Sequence, residues 1–271
     1  MQSVSELARA KINLSLEVLG RRADGLHELR SIVAFADIGD RLKISSADRN
    51  SLVVSGPFAA DVPRDEANII WKAWKHLRAL IKIPMVSIEL EKNLPVAAGM
   101  GGGSADAAAM LRGLLQLGGK RLNDAQVRDL AAIGADVPAC FIGKACIMQG
   151  MGEKISVLTD KLPAAIVLVN PGVACETAAV FKAMGLAAGE TRPVASVAAW
   201  RNDMTDAAIS VQPAIAEVLN ALGETALQSP LMSGSGATCF GRAASIELAQ
   251  QEAQKIALSH PQWWVKAVLL S

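Results

Sequence analysis

Val86-Ser87-Ile88-Glu89-Leu90-Glu91 leads through Lys92-Asn93-Leu94 into Pro95-Val96-Ala97-Ala98-Gly99-Met100-Gly101-Gly102-Gly103-Ser104-Ala105-Asp106. Before the loop, Val86, Ile88 and Leu90 alternate with polar residues, the period of a strand with one wet face. Such strands belong to antiparallel sheets, whereas interior strands of a doubly wound sheet read as continuous apolar runs. Four glycines then fall within five positions, and an Ala-rich helical segment over 105–117 follows. Glycine permits positive φ and close backbone approach. A helix start adds unpaired N–H groups and the positive end of the macrodipole. Together they describe an anion site, and phosphate is the natural anion. A Walker A loop is excluded because Gly103-Ser104-Ala105 carries no lysine. A dinucleotide fingerprint fails because Ser104 stands where the third glycine belongs and the preceding strand has the wrong pattern. The competing reading is a plain surface loop, but the glycines abut a helix start rather than a polar linker.

Outward from this loop the chain reads as α+β. Strands are predicted over 10–18, ending at Gly20 and the turn Asp24-Gly25, and over 29–35, 40–45, 51–54 and 86–90. Helical spacing covers 68–80, with Ile69, Ile70, Ala73, Trp74 and Leu77 on one side. Asn123 is an N-cap for a helix to about Ala132, and a connector covers 159–163. Beyond it come a strand over 165–170, helices over 194–200 and 207–222, the small-residue loop 233–238, a helix over 245–258 and a strand over 264–269. The pattern divides into two lobes, 1–158 and 159–271.

Bulk properties exclude several classes. The formal net charge is +1, which leaves no electrostatic footprint for nucleic acid or an anionic membrane. The apolar run 164–169 is too short to span a bilayer, and the first residues lack the regions of a signal peptide. The four cysteines show no C-x-x-C spacing and read as reduced thiols, so a cytoplasmic location is expected. The three histidines form no local metal motif, and no protein metal site is expected.

Phosphoryl transfer needs positioning, charge neutralisation and a group that handles the attacking hydroxyl's proton. Lys11 and Asn13 share one face of the first strand, as a cation beside a donor–acceptor amide; an ordinary wet strand face is the alternative. Asp136 lies among Ala135, Val137, Pro138 and Ala139, where a carboxylate must be paired, hydrogen-bonded or functional. It also fits a helix N-cap before Val137-Pro138. The turn Asp24-Gly25-Leu26-His27 carries an imidazole that can read a polar ring or simply sit on a hairpin. Ser233-Gly234-Ser235-Gly236 is a second small-residue loop.

In this order, these pieces resemble the GHMP small-molecule kinases, the family of galactokinase and of homoserine, mevalonate and phosphomevalonate kinases. The resemblance rests on Ala10-Lys11-Ile12-Asn13-Leu14, Arg22-Ala23-Asp24-Gly25-Leu26-His27-Glu28-Leu29, Pro95 to Asp106, Gly134-Ala135-Asp136-Val137-Pro138 and Gly234-Ser235-Gly236-Ala237. It covers essentially the whole chain. It implies a two-lobed α+β fold, with an N-terminal ribosomal-protein-S5-like lobe that carries the ATP phosphate loop and a C-terminal ferredoxin-like lobe with mixed or antiparallel sheets. The Lys-x-Asn strand and the Asp-Gly-x-His turn point within the family to ATP-dependent phosphorylation of the 2-hydroxyl of a cytidine-diphosphate-linked methylerythritol in non-mevalonate isoprenoid synthesis. Another small alcohol, or a regulator that binds nucleotide without turnover, is the alternative.

The resemblance also implies roles. Lys11 and Asp136 are the expected catalytic pair. Pro95, Val96, Ala97, Ala98, Gly99, Met100, Gly101, Gly102, Gly103, Ser104 and Ala105 are expected on the ATP phosphates, with Mg2+ held mainly by those phosphates, and Asn68 near the adenosine. Asn13, Leu26, His27, Thr177 and Phe181 are expected at the substrate, His27 and Phe181 on the cytosine. Gly234, Ser235 and Gly236 form a supporting loop. Two departures stand out. Leu26 replaces the tyrosine that relatives stack on the base, and Ala97 stands where they often have glycine.

Overall fold

The computed structural model describes residues 2–159, 162, 165–193 and 200–271. These form two compact units that interleave along the chain: 1–10, 38–96 and 101–143 in one, 11–37, 97–100 and 144–271 in the other. The expected division at 158/159 follows the sequence, whereas the units do not. The reason is two long strands, β1 (Ser3–Arg21) and β2 (His27–Ala47), each of which contributes residues to both. The sequence predicts three shorter pieces here, because polar residues and Gly39 break the apolar alternation. Pairing between β1 and β2 carries the strands through those breaks. At Gly39 a Cβ would collide with the backbone of Ala8, so glycine is what lets the two strands lie this close.

In the first unit, β3 (Ser51–Ser55) and β4 (Met85–Glu91) join the later part of β2 in the order β3-β4-β2. The β4–β2 pair is antiparallel, from Arg41 opposite Glu91 to Ala47 opposite Met85. Val86, Ile88 and Leu90 are buried, as the alternation requires. The β3–β4 pair is parallel; such a pair needs a crossover, and α1 (Ile69–Leu80) lies in that connection. Ile70, Ala73, Trp74 and Leu77 form its buried face. Behind the sheet's glycine loop, α2 (Gly102–Gly118) packs on α1 and on α4 (Val137–Ile142). Between them α3 (Asp124–Asp129) starts in a reciprocal capping box of Asn123 and Gln126 and continues as a 3-10 turn to Ala132.

In the second unit, the early part of β2 pairs antiparallel with β5 (Cys146–Gly150), and β5 with β6 (Lys154–Val157). A separate antiparallel sheet has the order β10-β7-β9-β8, with β7 (Ala165–Asn170), β8 (Gln228–Met232), β9 (Cys239–Ala243) and β10 (Trp264–Leu269). All six residues of β7 are buried. Its core joins Val167 and Val169 to apolar residues of α5 (Thr177–Met184), α6 (Thr205–Val211), α7 (Ala214–Gly223) and α8 (Ile246–Ser259). The helix predicted over 207–222 is thus two helices. Pro213 lacks an N–H and disfavours helical backbone at the residue before it, and Gln212 accordingly takes φ −137°. The helix predicted near 194–200 lies outside the described residues except for Trp200, as does the connector over 159–163 except for Thr159 and Leu162.

Candidate active site

In the first unit the glycine loop ends as a helix start. Gly101, at φ 62°, precedes α2, which begins at Gly102, three residues before the segment predicted from the alanines. The first helical bond is Ala105 N–H to the Gly101 carbonyl at 2.8 Å. The N–H groups of Gly102, Gly103 and Ser104 therefore have no acceptor within the helix and carry the positive end of its dipole. The turn before α4 lies close by: a Cβ on Gly134 would sit 3.6 Å from Ile69 Cδ1 and 3.7 Å from Ser104 Oγ. Asp136 occupies the N-cap position of α4, yet its side chain makes no capping bond. Asn68 is 5 % exposed and caps α1: its Oδ1 accepts from Ile70 N–H at 3.0 Å and its Nδ2 donates to the Pro63 carbonyl at 2.7 Å. It is a structural cap first, whatever lies beside it.

In the second unit the strand face of Lys11 and Asn13 is not an ordinary wet face, since both residues are only 4 % exposed. Lys11 Nζ donates to Asn13 Oδ1 at 3.0 Å, and Asn13 Nδ2 donates to Ser31 Oγ at 2.7 Å. Ser31 in turn donates to the Ser15 carbonyl. The amide rotamer is thereby fixed, and its carbonyl end is turned to the lysine. The part of the glycine loop over 97–100 sits against the second small-residue loop. Ser233 Oγ donates to the Gly99 carbonyl at 3.0 Å, and Thr238 N–H donates to the Ala98 carbonyl at 3.2 Å. Gly99 is at φ 73°, and a Cβ there would run into the Ser233 and Gly236 backbones, so no other residue fits. Ala97 also takes a left-handed φ, 51°, where a side chain is strained and glycine is not.

The expected base-reading residues also meet within this unit. His27 and Phe181 stack with ring centroids 4.0 Å apart and planes 10° from parallel. Burial, and then the nearby Arg21 guanidinium, push the His27 pKa below its usual value of 6.5, so the ring is neutral at neutral pH. Its Nε2 is buried with no hydrogen-bond partner among the described residues. Leu26, next to it, is 48 % exposed. Thr177 Oγ1 lies 2.7 Å from Ser235 Oγ, which ties the start of α5 to the second loop.

Comparison with known proteins places this arrangement. The model of the GHMP kinase N-terminal domain matches residues 68–144. A protein of Parvibaculum lavamentivorans named 4-diphosphocytidyl-2-C-methyl-D-erythritol kinase is 45 % identical over 97 % of this chain and 97 % of its own. One of Paramagnetospirillum magneticum with the same name is 44 % identical over the whole of both chains. The chain belongs to the 4-diphosphocytidyl-2-C-methyl-D-erythritol kinase family. The crystal structure of a kinase of this family superposes with a TM-score of 0.81 at 30 % identity, covering 99 % of each chain. Homoserine kinase from Cytophaga hutchinsonii, at 16 % identity and a TM-score of 0.71, shares the fold. The chain is thus a small-molecule kinase with the two-lobed α+β fold of the GHMP kinases.

Sequence reasoning assigned no role to the residues that hold this chain's loops in place. Ser233 is fully buried and joins Asn13 N–H, at 3.1 Å, to the Gly99 carbonyl. Asn202 holds the second loop with two bonds of 2.8 Å, from its Nδ2 to the Met232 and Gly234 carbonyls. Neither has a sequence signal beyond a turn-forming residue type. Asp106 did carry one, as a carboxylate inside an alanine run. In the structure Lys92 bridges it to Asp40, with all three buried.

Proposed function

We propose that this chain transfers the γ-phosphoryl group of ATP to the 2-hydroxyl of 4-diphosphocytidyl-2-C-methyl-D-erythritol, on the non-mevalonate route to isoprenoids. The observation that carries the reading is identity of 42–45 % along essentially the whole chain to kinases of that name. The stacked His27 and Phe181 support it, since a neutral imidazole with an unpartnered nitrogen beside an aromatic face suits a pyrimidine base.

In this reading Asp136 orients the substrate hydroxyl and takes its proton. It occupies the N-cap position of α4 without a side-chain capping bond. Lys11 supplies positive charge to stabilise charge developing in transfer. Residues 95–105 bind the ATP phosphates through backbone N–H groups at the start of α2, with Asn68 by the adenosine. Asn13, Leu26, Thr177 and Phe181 line the substrate, and Gly234, Ser235 and Gly236 support the loop from behind. Among the described residues no three His, Cys, Asp or Glu side chains cluster as a metal cage. Mg2+ would arrive with the nucleotide, held by its phosphates and water, where it would neutralise phosphate charge. We assign the functional lobes to 1–158 and 159–271 and the enzyme to the cytoplasm; no helix among the described residues is long and apolar enough to cross a membrane.

The test is ADP release with Mg-ATP and a panel of alcohols. Turnover is expected with the cytidylyl substrate alone. Turnover with homoserine or mevalonate in its place overturns the substrate assignment, and ATP binding without ADP release from any of them overturns catalysis.

A further inference from the structure

Directly beneath the start of α2 lies a sealed cluster of three charged groups. Lys92 Nζ donates to Asp40 Oδ2 at 2.5 Å and to Asp106 Oδ2 at 2.6 Å. The three residues are 3 %, 0 % and 4 % exposed. A Cβ on Gly102, in the first turn of the helix, would lie 3.4 Å from Lys92 Nζ and 3.8 Å from Asp40 Oδ2. Asp106 is one turn further along the same helix. The cluster is therefore within a few ångströms of the N–H groups assigned above to phosphate.

Two carboxylates share one ammonium, so the fully ionised cluster carries one surplus negative charge away from water. Burial does not tolerate such a charge, and one carboxyl must hold a proton over part of the working pH range. The hydrogen bonds say which. Asp40 Oδ1 accepts from Asn93 N–H at 2.6 Å and Leu94 N–H at 2.8 Å, which stabilises its anion. Asp106 Oδ1 is buried with no partner among the described residues. The charged groups acting on Asp106 are Lys92, at the end of β4, and Asp40, on β2. The packed helices α1 and α4 bury apolar residues, among them Ile70, Ala73, Leu77, Val137 and Ala139.

We propose that Asp106 is a proton-coupled positioning residue for the phosphate loop, taking up a proton as the nucleotide binds. The inference rests on the reading of the α2 start as the ATP phosphate site. A bound polyphosphate is repelled by the surplus charge beneath it and is not repelled once that charge is neutralised. Binding and protonation therefore favour each other, and by linkage ATP affinity falls as pH rises through the Asp106 titration. Burial pushes that carboxyl up to about 8, with Lys92 opposing the shift and Asp40 adding to it. The sign is that of a raised carboxyl: the binding-competent, protonated form is present below the titration and lost above it.

The experiment is calorimetric titration of the full chain with Mg-ATP between pH 7 and 9, in buffers of different ionisation enthalpy. Affinity is expected to fall by up to about tenfold from pH 7 to pH 9, with up to about half a proton taken up per ATP at pH 8, given a titration near 8. Asp106→Asn, neutral at every pH and able to accept from Lys92, is expected to bind ATP with a flat pH profile and no proton uptake. Wild-type binding without proton uptake near pH 8 overturns the proposal without any variant, and an unchanged pH profile in Asp106→Asn does so independently. The underlying reading has its own control. Gly103→Asp puts a negative charge at the helix start, so ATP binding that survives it at full strength overturns the phosphate site itself.

Discussion

The imidazole of His27 lies flat on the phenyl ring of Phe181, with centroids 4.0 Å apart and planes 10° from parallel. At that spacing no base fits between the two rings. One face of His27 is taken by Phe181, and a pyrimidine must meet the pair from an edge or an outer face.

Leu26 is the exposed neighbour of this stack, in a chain that contains no tyrosine. An aromatic at this position would add a stacking contact of about 1 kcal/mol, or about fivefold in affinity. Leu26→Tyr is expected to lower KM for the cytidylyl substrate by about that factor, with KM for ATP unchanged. Phe181→Leu, which removes the stack and keeps an apolar side chain, is expected to raise the same KM by a similar factor. Steady-state kinetics with each substrate varied in turn separates the two effects. An unchanged substrate KM in both variants removes this corner from base recognition.

Ala97 gives a prediction on stability. Its φ of 51° lies in the left-handed region, which costs a residue with a Cβ roughly 1 kcal/mol or more. Ala97→Gly releases that strain and in return adds chain entropy to the unfolded state, so the net gain is expected to be modest. Urea unfolding should shift to a higher midpoint, for a gain of up to about 1 kcal/mol in unfolding free energy. A lower midpoint would mean that the Ala97 methyl makes contacts worth more than its strain.

How much of this was legible in the sequence depended on whether a residue's job was local. The alternation of Val86, Ile88 and Leu90, the spacing on α1, and the cap Asn123 are local, and each reappears in the structure. The burial of Lys11 and Asn13 is not local: on an alternating strand they read as solvated, and Ser31 and Ser233 become their neighbours only through strand pairing and loop packing. The partition of Asp106 between Lys92 and Asp40 was hidden for the same reason, because Asp40 is 66 positions away from it in sequence. Pro213 was visible, but amphipathic spacing on both sides of it masked the break between α6 and α7.

Asp136 tests the chemistry directly. Its side chain makes no capping bond to α4, so Asp136→Asn should leave that helix in place. The proposed loss is of the group that handles the hydroxyl's proton, worth about 10²–10⁴-fold in kcat. The expected result is that drop in kcat, with the thermal midpoint and ATP affinity close to wild type. Near-normal turnover would remove Asp136 from the reaction, and a large fall in the midpoint would assign it a structural task instead.

Ser233 makes the opposite prediction, of a residue outside the chemistry on which the loop's shape depends. Its hydroxyl accepts from Asn13 N–H at 3.1 Å and donates to the Gly99 carbonyl at 3.0 Å, and the residue is fully buried. Ser233→Ala leaves a donor and an acceptor unsatisfied where water does not reach. Each such loss costs about 1–3 kcal/mol, so unfolding should become easier by at least about 1 kcal/mol. The same substitution frees Gly99 from Asn13, and therefore the phosphate loop from the strand that carries Lys11. KM for ATP and KM for the substrate should rise together, unlike the single-substrate effects at Leu26 and Phe181. Ser233→Thr keeps the hydroxyl and should restore the coupling to the extent that its added methyl is accommodated. If Ser233→Ala lowers stability and leaves both KM values at wild type, the hydroxyl stabilises the fold without setting the loop.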